Sequence, residues 1–305
     1  MLPAIRSVFA THGVTDVRIT AEWRDERNVA IAAIADGCTT IVCVGGDGTT
    51  GNVADVILRS GSDATLGVIP AGTGNDFAKT LGTDGASLEV VARRAVESSG
   101  TRVDVGRVED RFFLNSCGFG FDVAVLQGLT GVAWFNGSAL YLYAALRQLY
   151  RFRGVNIAIQ SPAAKRERSL YMMLLIANGP YFGGAFLIAP SATVTDGELD
   201  GIAVADASAG RRLRMLGAAT RGTHTSCREV TVERAPEFTL GFDDIPFYET
   251  DGEVHQASSA TVTLRCVPRA LRVITGDAGL MERPPAEKPA LANSVNFALT
   301  QTRKE

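Results

Sequence analysis

The sequence predicts an α/β domain with a parallel, Rossmann-like sheet, followed by a second domain that is a β-sandwich. Helical and strand patterns alternate over the first hundred residues, and two apolar runs there each end in a glycine-rich loop. From about residue 105, short alternating runs separated by Gly, Pro and Asp replace that pattern. A chain of 305 residues that is 46% hydrophobic is long enough for two domains.

The elements of the first domain follow from hydrophobic spacing and from the residues that end each run. Helices are expected over residues 3–9, 24–35, 52–58, 77–81 and 88–97, and strands over residues 14–20, 41–44 and 66–69. The helix at 24–35 repeats apolar residues at helical spacing and ends before Gly37. The continuous apolar runs 41–44 and 66–69 are typical of parallel strands that are buried on both faces.

The second domain is expected to be rich in strands. These are predicted at residues 155–160, 170–177, 199–204, 230–233 and 262–266, with one helix interrupting them at residues 139–149. The domain limits are therefore 1–104 for the α/β domain and 105–267 for the β-rich domain, with residues about 268–282 returning to the first. The polar, proline-rich segment 283–305 is predicted to be a disordered tail.

Composition excludes several classes of function. A net charge of −3 and a pI near 5.7 provide no overall field for nucleic acid. Five cysteines without CxxC spacing fit a reducing cytoplasm. No apolar run approaches the length that spans a bilayer, so the sequence predicts a cytoplasmic protein whose contact with membranes is peripheral.

The most informative motifs are the two glycine-rich loops, Gly-Gly-Asp-Gly-Thr at 45–49 and Ala-Gly-Thr-Gly-Asn-Asp at 71–76. Each follows a predicted strand and places one aspartate, Asp47 or Asp76, among small residues. Glycines at such positions let phosphates approach backbone N–H groups, and aspartates beside them suit Mg²⁺. One such loop alone could be an ordinary tight turn, but two in one α/β unit favour a phosphate and metal site. Neither contains the lysine of a P-loop, so backbone amides and a metal must balance the phosphate charge.

These loops and the motifs that follow them resemble the diacylglycerol kinase catalytic-domain family, which includes sphingosine kinases and bacterial lipid kinases. The resemblance covers roughly residues 1 to 280, with several motifs in the order of that family. Beyond the loops they are Val-Asp-Val-Gly (103–106), Phe-Leu-Asn (113–115), Gly-Phe-Gly-Phe-Asp (118–122), Asn-Gly (178–179), Phe-Gly-Gly (182–184), Ala-Pro (189–190), Asp-Gly-Glu-Leu-Asp (196–200) and Asp-Gly-Glu (251–253).

The resemblance implies ATP-dependent phosphorylation of the hydroxyl of diacylglycerol or a related lipid, in a cleft between the two domains. By the same resemblance Asp47, Asp76 and Asp104 would organise the catalytic Mg²⁺, and Glu253 would be the catalytic base acting with Asp47. The ATP-binding residues would be Gly45, Gly46, Gly48, Thr49, Gly72, Thr73, Gly74 and Asn75. The implied partner is a lipid at a membrane surface, without nucleic acid, and a homodimer is left open.

Several of these assignments have a simpler alternative. On spacing alone, Glu253 would be a solvated acid in an Asp-Gly hairpin turn, and Asp104 an acid at the end of a strand. A structural Mg²⁺ held by Asp196, with the carbonyls of Thr193 and Glu198, has a plain Asp-Gly turn as its equal alternative. Asp122 either lines the lipid cleft or caps a helix that begins near residue 123.

The beginning of the chain departs from the family pattern. Family members open with a strand that runs into an Asn-Pro and glycine turn at the nucleotide site, whereas here Met1 is followed at once by the first predicted helix. Weak ATP binding and reduced stability are therefore expected of this chain. Two other functions stay open: an enzyme like the NAD kinases, which share the Gly-Gly-Asp-Gly-Thr loop, and a non-catalytic protein that binds nucleotide or lipid.

Overall fold

The computed structural model describes residues 1–22, 25–129, 151–276 and 279–280, and it confirms the expected fold class. The helices are α1 (Leu2–Thr11), α2 (Glu26–Ala35), α3 (Asp47–Ser60), α4 (Asp76–Thr80), α5 (Leu88–Glu97), α6 (Phe121–Leu129), α7 (Ala209–Ala219) and a short 3-10 helix (Thr223–Ser226). The strands are β1 (Thr40–Gly45), β2 (Thr65–Pro70), β3 (Thr101–Val108), β4 (Arg111–Phe113), β5 (Ser116–Gly120), β6 (Val155–Gln160), β7 (Lys165–Ala177), β8 (Tyr181–Phe182), β9 (Phe186–Leu187), β10 (Leu199–Ala205), β11 (Val230–Ala235), β12 (Glu237–Phe242), β13 (Phe247–Thr250), β14 (Glu253–Gln256) and β15 (Thr261–Val273).

The first domain is built on parallel strands. Strands β1 and β2 pair in parallel from Thr40 opposite Thr65 to Gly45 opposite Pro70. The end of β15 adds to the other side of β2, with Arg272 opposite Thr65. Because β1 and β2 are parallel and in register, the glycine loops that follow them leave the same edge of the sheet.

Helices cover this sheet and bury its apolar residues. The core contains side chains from β1, β2 and β3 together with those of α2, α3 and α4, and a smaller cluster joins α1 to α5. Helix α5 has its expected limits, and the side chain of Ser87 caps it by accepting a hydrogen bond from the N–H of Val90. The helix–sheet packing fixes the positions at which the loops begin.

The second domain consists of antiparallel strands around two apolar clusters. Strand β7 is central, because it pairs with β5, β6 and β10. Strand β15 joins the domains. Residues 261–265 pair with β12, residues 264–273 follow β3 with an irregularity between Val267 and Leu271, and the last two residues also reach β2. One mixed sheet therefore runs through both domains and holds the cleft between them.

Two predicted elements of the first domain are wrong in detail. Residues 14–20 do not form a strand; in the described part of the chain no strand pairs with them, and Arg18 instead binds Asp16 and Asp36. Helix α3 begins at Asp47 rather than at residue 52, because Gly46 is extended and serves as its N-cap. The second half of the first glycine loop is therefore the first turn of a helix, so its N–H groups point toward the helix N-terminus.

Most of the remaining predicted elements are either confirmed or lie outside the described residues. The strands at 155–160, 170–177, 199–204, 230–233 and 262–266 are confirmed, several of them longer than expected, whereas helix α7 was not predicted. The helix at 139–149 and the tail at 283–305 lie outside the described residues. Within the described ranges, no helix is both long enough and apolar enough to cross a lipid bilayer.

Candidate active site

The two glycine loops pack against each other, backbone to backbone. The N–H of Ala71 donates to the carbonyl of Gly45 at 2.9 Å. A Cβ on Gly72 would lie 2.5 Å from the Cα of Gly46, closer than real Cβ contacts come. Asn75, in the left-handed region at φ 56°, closes the second loop by accepting from the N–H of Gly72 at 2.9 Å and donating to its carbonyl at 3.0 Å. Glycine is therefore required where the loops cross.

The glycines of the two loops differ in whether an alanine could replace them, and this difference can be tested. We expect Gly72→Ala to lower the free energy of unfolding by about 1–3 kcal/mol, because backbone atoms cannot move aside as a side chain can. Gly48→Ala should be neutral or stabilising by up to ~1 kcal/mol, because no atom lies within 4 Å of a Cβ there and alanine favours the helix. Urea unfolding of both variants measures the difference; equal midpoints would contradict the proposed packing.

The remaining residues predicted to bind nucleotide surround this crossing. The side chain of Thr49 packs over Gly45, where an added Cβ would come within 2.6 Å of it. Thr73 is exposed at the tip of the second loop. The space beside Gly48 is open. The loops thus present backbone amides and small side chains to solvent at the N-terminus of α3, which is the arrangement that binds anionic phosphate groups in proteins.

Asp47 and Asp76 lie close together beside the loops. Asp47 accepts a hydrogen bond from the N–H of Phe77 at 3.3 Å, and its Oδ2 atom would be 2.8 Å from a Cβ on Gly74. Burial, followed by the negative charge of Asp76, raises the pKa of Asp47. A carboxylate whose pKa is raised by burial and by a neighbouring carboxylate forms, together with that neighbour, a site suited to a cation.

The second domain closes over Asp76. The N–H of Gly184, in the loop between β8 and β9, donates to both carboxylate oxygens of Asp76 at 3.1 and 3.0 Å. Lys79 lies 3.2 Å from the same carboxylate and donates to the carbonyl of Gly184 at 2.6 Å. A Cβ on Gly184 would be 2.9 Å from the Cα of Gly74, so the two domains meet at glycines.

A cavity of about 180 Å³ lies at this contact between the domains. It is lined by Asp47, Gly74, Asp76, Asn115, Ser116, Leu126, Tyr181, Phe182, Gly183, Gly184, Glu249, Asp251 and Gly252. Pockets that enclose a whole small ligand usually measure about 300–1,000 Å³. This cavity therefore has room for the reacting groups of ligands, with the remainder of each ligand outside it.

The donor set of Asp47 and Asp76 fits Mg²⁺. Mg²⁺ is usually held by one or two carboxylates, with water and substrate phosphates completing its shell. In the described ranges no group of three or more His, Cys, Asp or Glu side chains is arranged to hold a metal by itself. Asp47 and Asp76 would therefore hold the ion together with phosphate oxygens bound at the glycine loops.

Asp251 occupies the opposite wall of the cavity. It begins a two-residue hairpin turn with Gly252, at φ values of 48° and 90°. Its carboxylate accepts hydrogen bonds from the N–H groups of Leu114, Asn115 and Ser116 at 2.7, 2.8 and 3.1 Å. Burial raises its pKa to about 6 despite these bonds. The three bonds fix the turn against the start of β5.

Glu253 is not brought into the cavity. It is the exposed first residue of β14, paired with Thr250 across the turn, and it lines a separate surface depression with Arg111 and His255. The turn directs Asp251 inward instead. The role of Glu253 as the base therefore stays a prediction. The carboxylates of this hairpin that line the cavity are those of Glu249 and Asp251. The available signal for Glu249 in the sequence was its position in the short run Phe-Tyr-Glu-Thr, directly before the Asp-Gly turn.

Asp104 does not join Asp47 and Asp76, contrary to the expectation that all three organise one Mg²⁺. It is fully buried, and its two carboxylate oxygens accept from the N–H groups of Gly197 and Arg269, each at 2.7 Å. Its carboxylate is thus engaged by the loop before β10 and by β15, at the junction between the domains. It does not line the cavity.

This placement predicts a structural effect for Asp104→Asn. The amide NH₂ of asparagine would face one of the two N–H donors, so we expect a loss of about 1–3 kcal/mol in the free energy of unfolding. Thermal and urea unfolding measure it. Unchanged stability with lost nucleotide affinity would instead support the metal-binding role.

The loop predicted to hold a structural Mg²⁺ lies next to Asp104. The N–H of Glu198 donates to Asp196 at 3.1 Å, and the hydroxyls of Thr193 and Thr195 are 3.2 Å apart. Both the metal site and the plain turn remain compatible with this geometry. The structural Mg²⁺ at Asp196 therefore stays a prediction.

Comparison with known proteins identifies the family to which this chain is similar. A family model described as "Diacylglycerol kinase catalytic domain" matches residues 1–108, and one described as "YegS C-terminal NAD kinase beta sandwich-like domain" matches residues 115–275. A diacylglycerol kinase of Mycobacterium tuberculosis is 30% identical over 86% of this chain and 85% of its own length. A probable lipid kinase YegS-like protein of Pseudomonas putida is 33% identical over 61% of this chain and 63% of its own.

Solved structures share the fold. A diacylglycerol kinase from Bacillus anthracis strain Sterne superposes with a TM-score of 0.68 at 18% identity, covering 92% of this chain and 93% of that one. An NAD kinase from Archaeoglobus fulgidus reaches 0.50 at 12% identity, over 90% of each chain. At such identities the likeness concerns the fold alone. The matches in sequence and domain order, together with the paired glycine loops, show that this chain belongs to the diacylglycerol kinase and YegS-like lipid kinase family.

Proposed function

We propose that this protein transfers the γ-phosphoryl group of ATP to the hydroxyl of diacylglycerol or a related lipid. One observation carries the proposal: the glycine loops and the Asp47–Asp76 pair meet a wall of the second domain at a single cavity. Phosphoryl transfer demands little covalent chemistry from a protein. It needs charge neutralisation, in-line positioning and a group that takes the hydroxyl proton.

The first domain would bind the nucleotide. The N–H groups at the start of α3 and in the second loop would contact the phosphates, with the helix dipole favouring their negative charge. Asp47 and Asp76 would hold Mg²⁺, which supplies charge neutralisation at the transferring phosphoryl group. Lys79, at the base of the site, holds Asp76 and the Gly184 loop in place.

The second domain would bind the acceptor. Leu126, Tyr181 and Phe182 contribute apolar side chains to the lining of the cavity. An acceptor hydroxyl entering between them would face the phosphoryl group across the cavity, with its acyl chains outside. We infer that the protein acts peripherally at a membrane surface, on the cytoplasmic side where ATP is available.

Two other functions are separated from this one by experiment. The fold is shared with an NAD kinase, so a soluble dinucleotide is the second candidate acceptor. The Gly-Thr-Gly-Asn-Asp loop and the relatives named as lipid kinases favour lipid. A non-catalytic binding protein is the third candidate.

The test is transfer of label from γ-labelled ATP in the presence of Mg²⁺. Diacylglycerol, sphingosine and other hydroxyl-bearing lipids in mixed micelles are compared with NAD as acceptors. We expect label in lipid and none in NAD. Label only in NAD would support the second candidate, and no product on any acceptor would contradict the kinase proposal.

A further inference from the structure

Helix α7 and the turn that follows it concentrate positive charge in a chain that is acidic overall. Residues 206–229 contain five arginines and two acidic residues, a net charge of +3, whereas the whole chain carries −3. Helix α7 itself contains no acidic residue. A region of positive charge on an acidic protein favours an anionic partner at that region in particular.

The arginines of α7 divide into one that is buried and others that face solvent. Arg212 is buried, pairs with Asp206 and donates to the carbonyl of Phe152 at 3.0 Å, so it fixes the start of the helix. Arg214 and Arg221 are exposed, and neither side chain is paired with an acid among the described residues. Their positive charges are therefore available to a partner.

The exposed face of α7 joins these charges to an apolar side chain. Leu213 is 50% exposed, while Met215 and Ala219 on the opposite face belong to an apolar core cluster. We call Leu213, Arg214 and Arg221 the α7 face. Guanidinium groups can reach the phosphates of a lipid surface while an exposed leucine enters its apolar boundary. The α7 face therefore has the chemistry of a surface that binds anionic lipid.

The α7 face adjoins the hairpin that lines the cavity. A Cβ on Gly222, in the turn after α7, would lie 3.0 Å from the side chain of Leu187 and 3.1 Å from that of Pro190. Leu187 pairs with Tyr181 across the β8–β9 hairpin. Tyr181 and the three residues after it line the cavity. A lipid surface that contacts α7 would therefore lie one hairpin away from the cavity.

Two further arginines extend the positive charge at the other end of the helix. Arg151 and Arg153 are exposed, and neither is paired with an acid in the ranges that the structure describes. Phe152, which lies between them, accepts the hydrogen bond of Arg212 at the start of α7. The positively charged surface therefore extends along the helix from residues 151–153 to Arg221.

We propose that the α7 face, together with Arg151 and Arg153, binds the anionic surface of a lipid bilayer and holds the cavity at the membrane. The inference rests on the proposed function in that a lipid acceptor has to be taken from a bilayer. The phosphate groups of anionic lipids accept paired hydrogen bonds from guanidinium groups. The binding itself requires neither ATP nor an acceptor.

Cosedimentation with vesicles tests this surface in the full chain. One set of vesicles contains phosphatidylcholine alone, and the other also contains phosphatidylglycerol, which is anionic. We expect the wild type to bind only the second set, and to bind it less as NaCl is added, because salt screens charges at a surface. Arg214→Glu combined with Arg221→Glu should weaken this binding by about 10-fold or more. Its melting temperature should stay at the wild-type value.

Leu213→Gln separates the apolar contribution from the charges. We expect it to weaken vesicle binding by less than the double charge reversal does. This loss should persist when NaCl is added, because the burial of an apolar side chain is not screened by salt.

Arg6→Glu combined with Lys165→Glu is the matched control. Both residues are exposed, and the combination changes the net charge by the same amount as the α7 variant. Arg6 lies on α1 in the first domain. Lys165 lies at the start of β7, opposite Gln160, whereas Ala205 just before α7 pairs near Tyr171 farther along that strand. We expect the control to bind vesicles as the wild type does.

Several results would overturn the inference. They are equal binding of the wild type to both vesicle sets, equal losses in the α7 variant and the control, and binding to a single-stranded oligonucleotide but not to vesicles. With a water-soluble, short-chain diacylglycerol as acceptor, the α7 variant should keep the wild-type rate and lose activity only on acceptor held in anionic vesicles. A wild type that binds vesicles but phosphorylates no acceptor would contradict the kinase proposal and leave the membrane surface supported.

Discussion

Replacing Asp47 by asparagine should reduce the turnover number by at least about 100-fold, because the amide no longer supplies a negatively charged oxygen for Mg²⁺. The hydrogen bond from the N–H of Phe77 to Oδ1 can persist in the variant, so the loops should keep their geometry. Asp47 is partly buried and its pKa is raised, so removal of its charge should not destabilise the fold. The expected signature is lost activity in a protein that unfolds at the same denaturant concentration or a higher one.

This experiment is cleaner at Asp47 than at Asp76. Asp76 also receives the N–H of Gly184 and the ammonium of Lys79, so its replacement would disturb the contact between the domains as well as the cation site. Asp55→Asn serves as the control, because Asp55 lies on the same helix as Asp47 but pairs with Arg27 at 2.5 Å and with Arg59 at 2.7 Å, outside the cavity. Wild-type turnover in Asp47→Asn at low Mg²⁺ would exclude Asp47 as a metal-binding residue.

The sequence predicted the placement of the two glycine loops and of their aspartates, because that arrangement depends on neighbouring segments of the chain. Two apolar strands pair in parallel and in register, and each is followed by a glycine loop. This local arrangement places Asp47 and Asp76 side by side. The crossing of Gly46 and Gly72 explains why glycines occur there. The helical start at Asp47 was missed, because glycines at 48 and 51 lower helix propensity and hide the first turns of α3.

The side of the cavity that the second domain forms was less predictable, because it depends on contacts between residues that are distant in sequence. Asp251 faces the cavity because amides of residues 114–116 bind it, and Asp104 faces away because amides of Gly197 and Arg269 bind it. Neither set of donors can be identified from spacing. The inward direction of Glu249 likewise depends on its pairing with Gly118 on a strand more than a hundred residues earlier.

The buried carboxyl groups of Asp122, Glu249 and Asp251 should make the unfolding free energy fall as the pH rises from about 4 to about 7. The pKa of Asp122 is raised from 3.8 to about 7 and that of Asp251 to about 6, with Glu249 raised further. An acid whose pKa is higher in the folded state binds its proton more tightly there. It therefore stabilises the fold below its unfolded pKa, and this contribution is lost as the pH approaches the folded value. A shift of this size corresponds to a contribution on the order of a few kcal/mol.

Urea unfolding at pH 5 and pH 8 measures this dependence. We expect a higher free energy of unfolding at pH 5 than at pH 8. The double variant Asp122→Asn with Glu249→Gln should reduce the difference between the two pH values, because neither amide side chain titrates while both keep the shape of the acids they replace. Asp55→Asn should keep the wild-type difference. If the double variant also kept the difference, Asp122 and Glu249 would not be its source, and Asp251, still present in that variant, would be the next residue to replace.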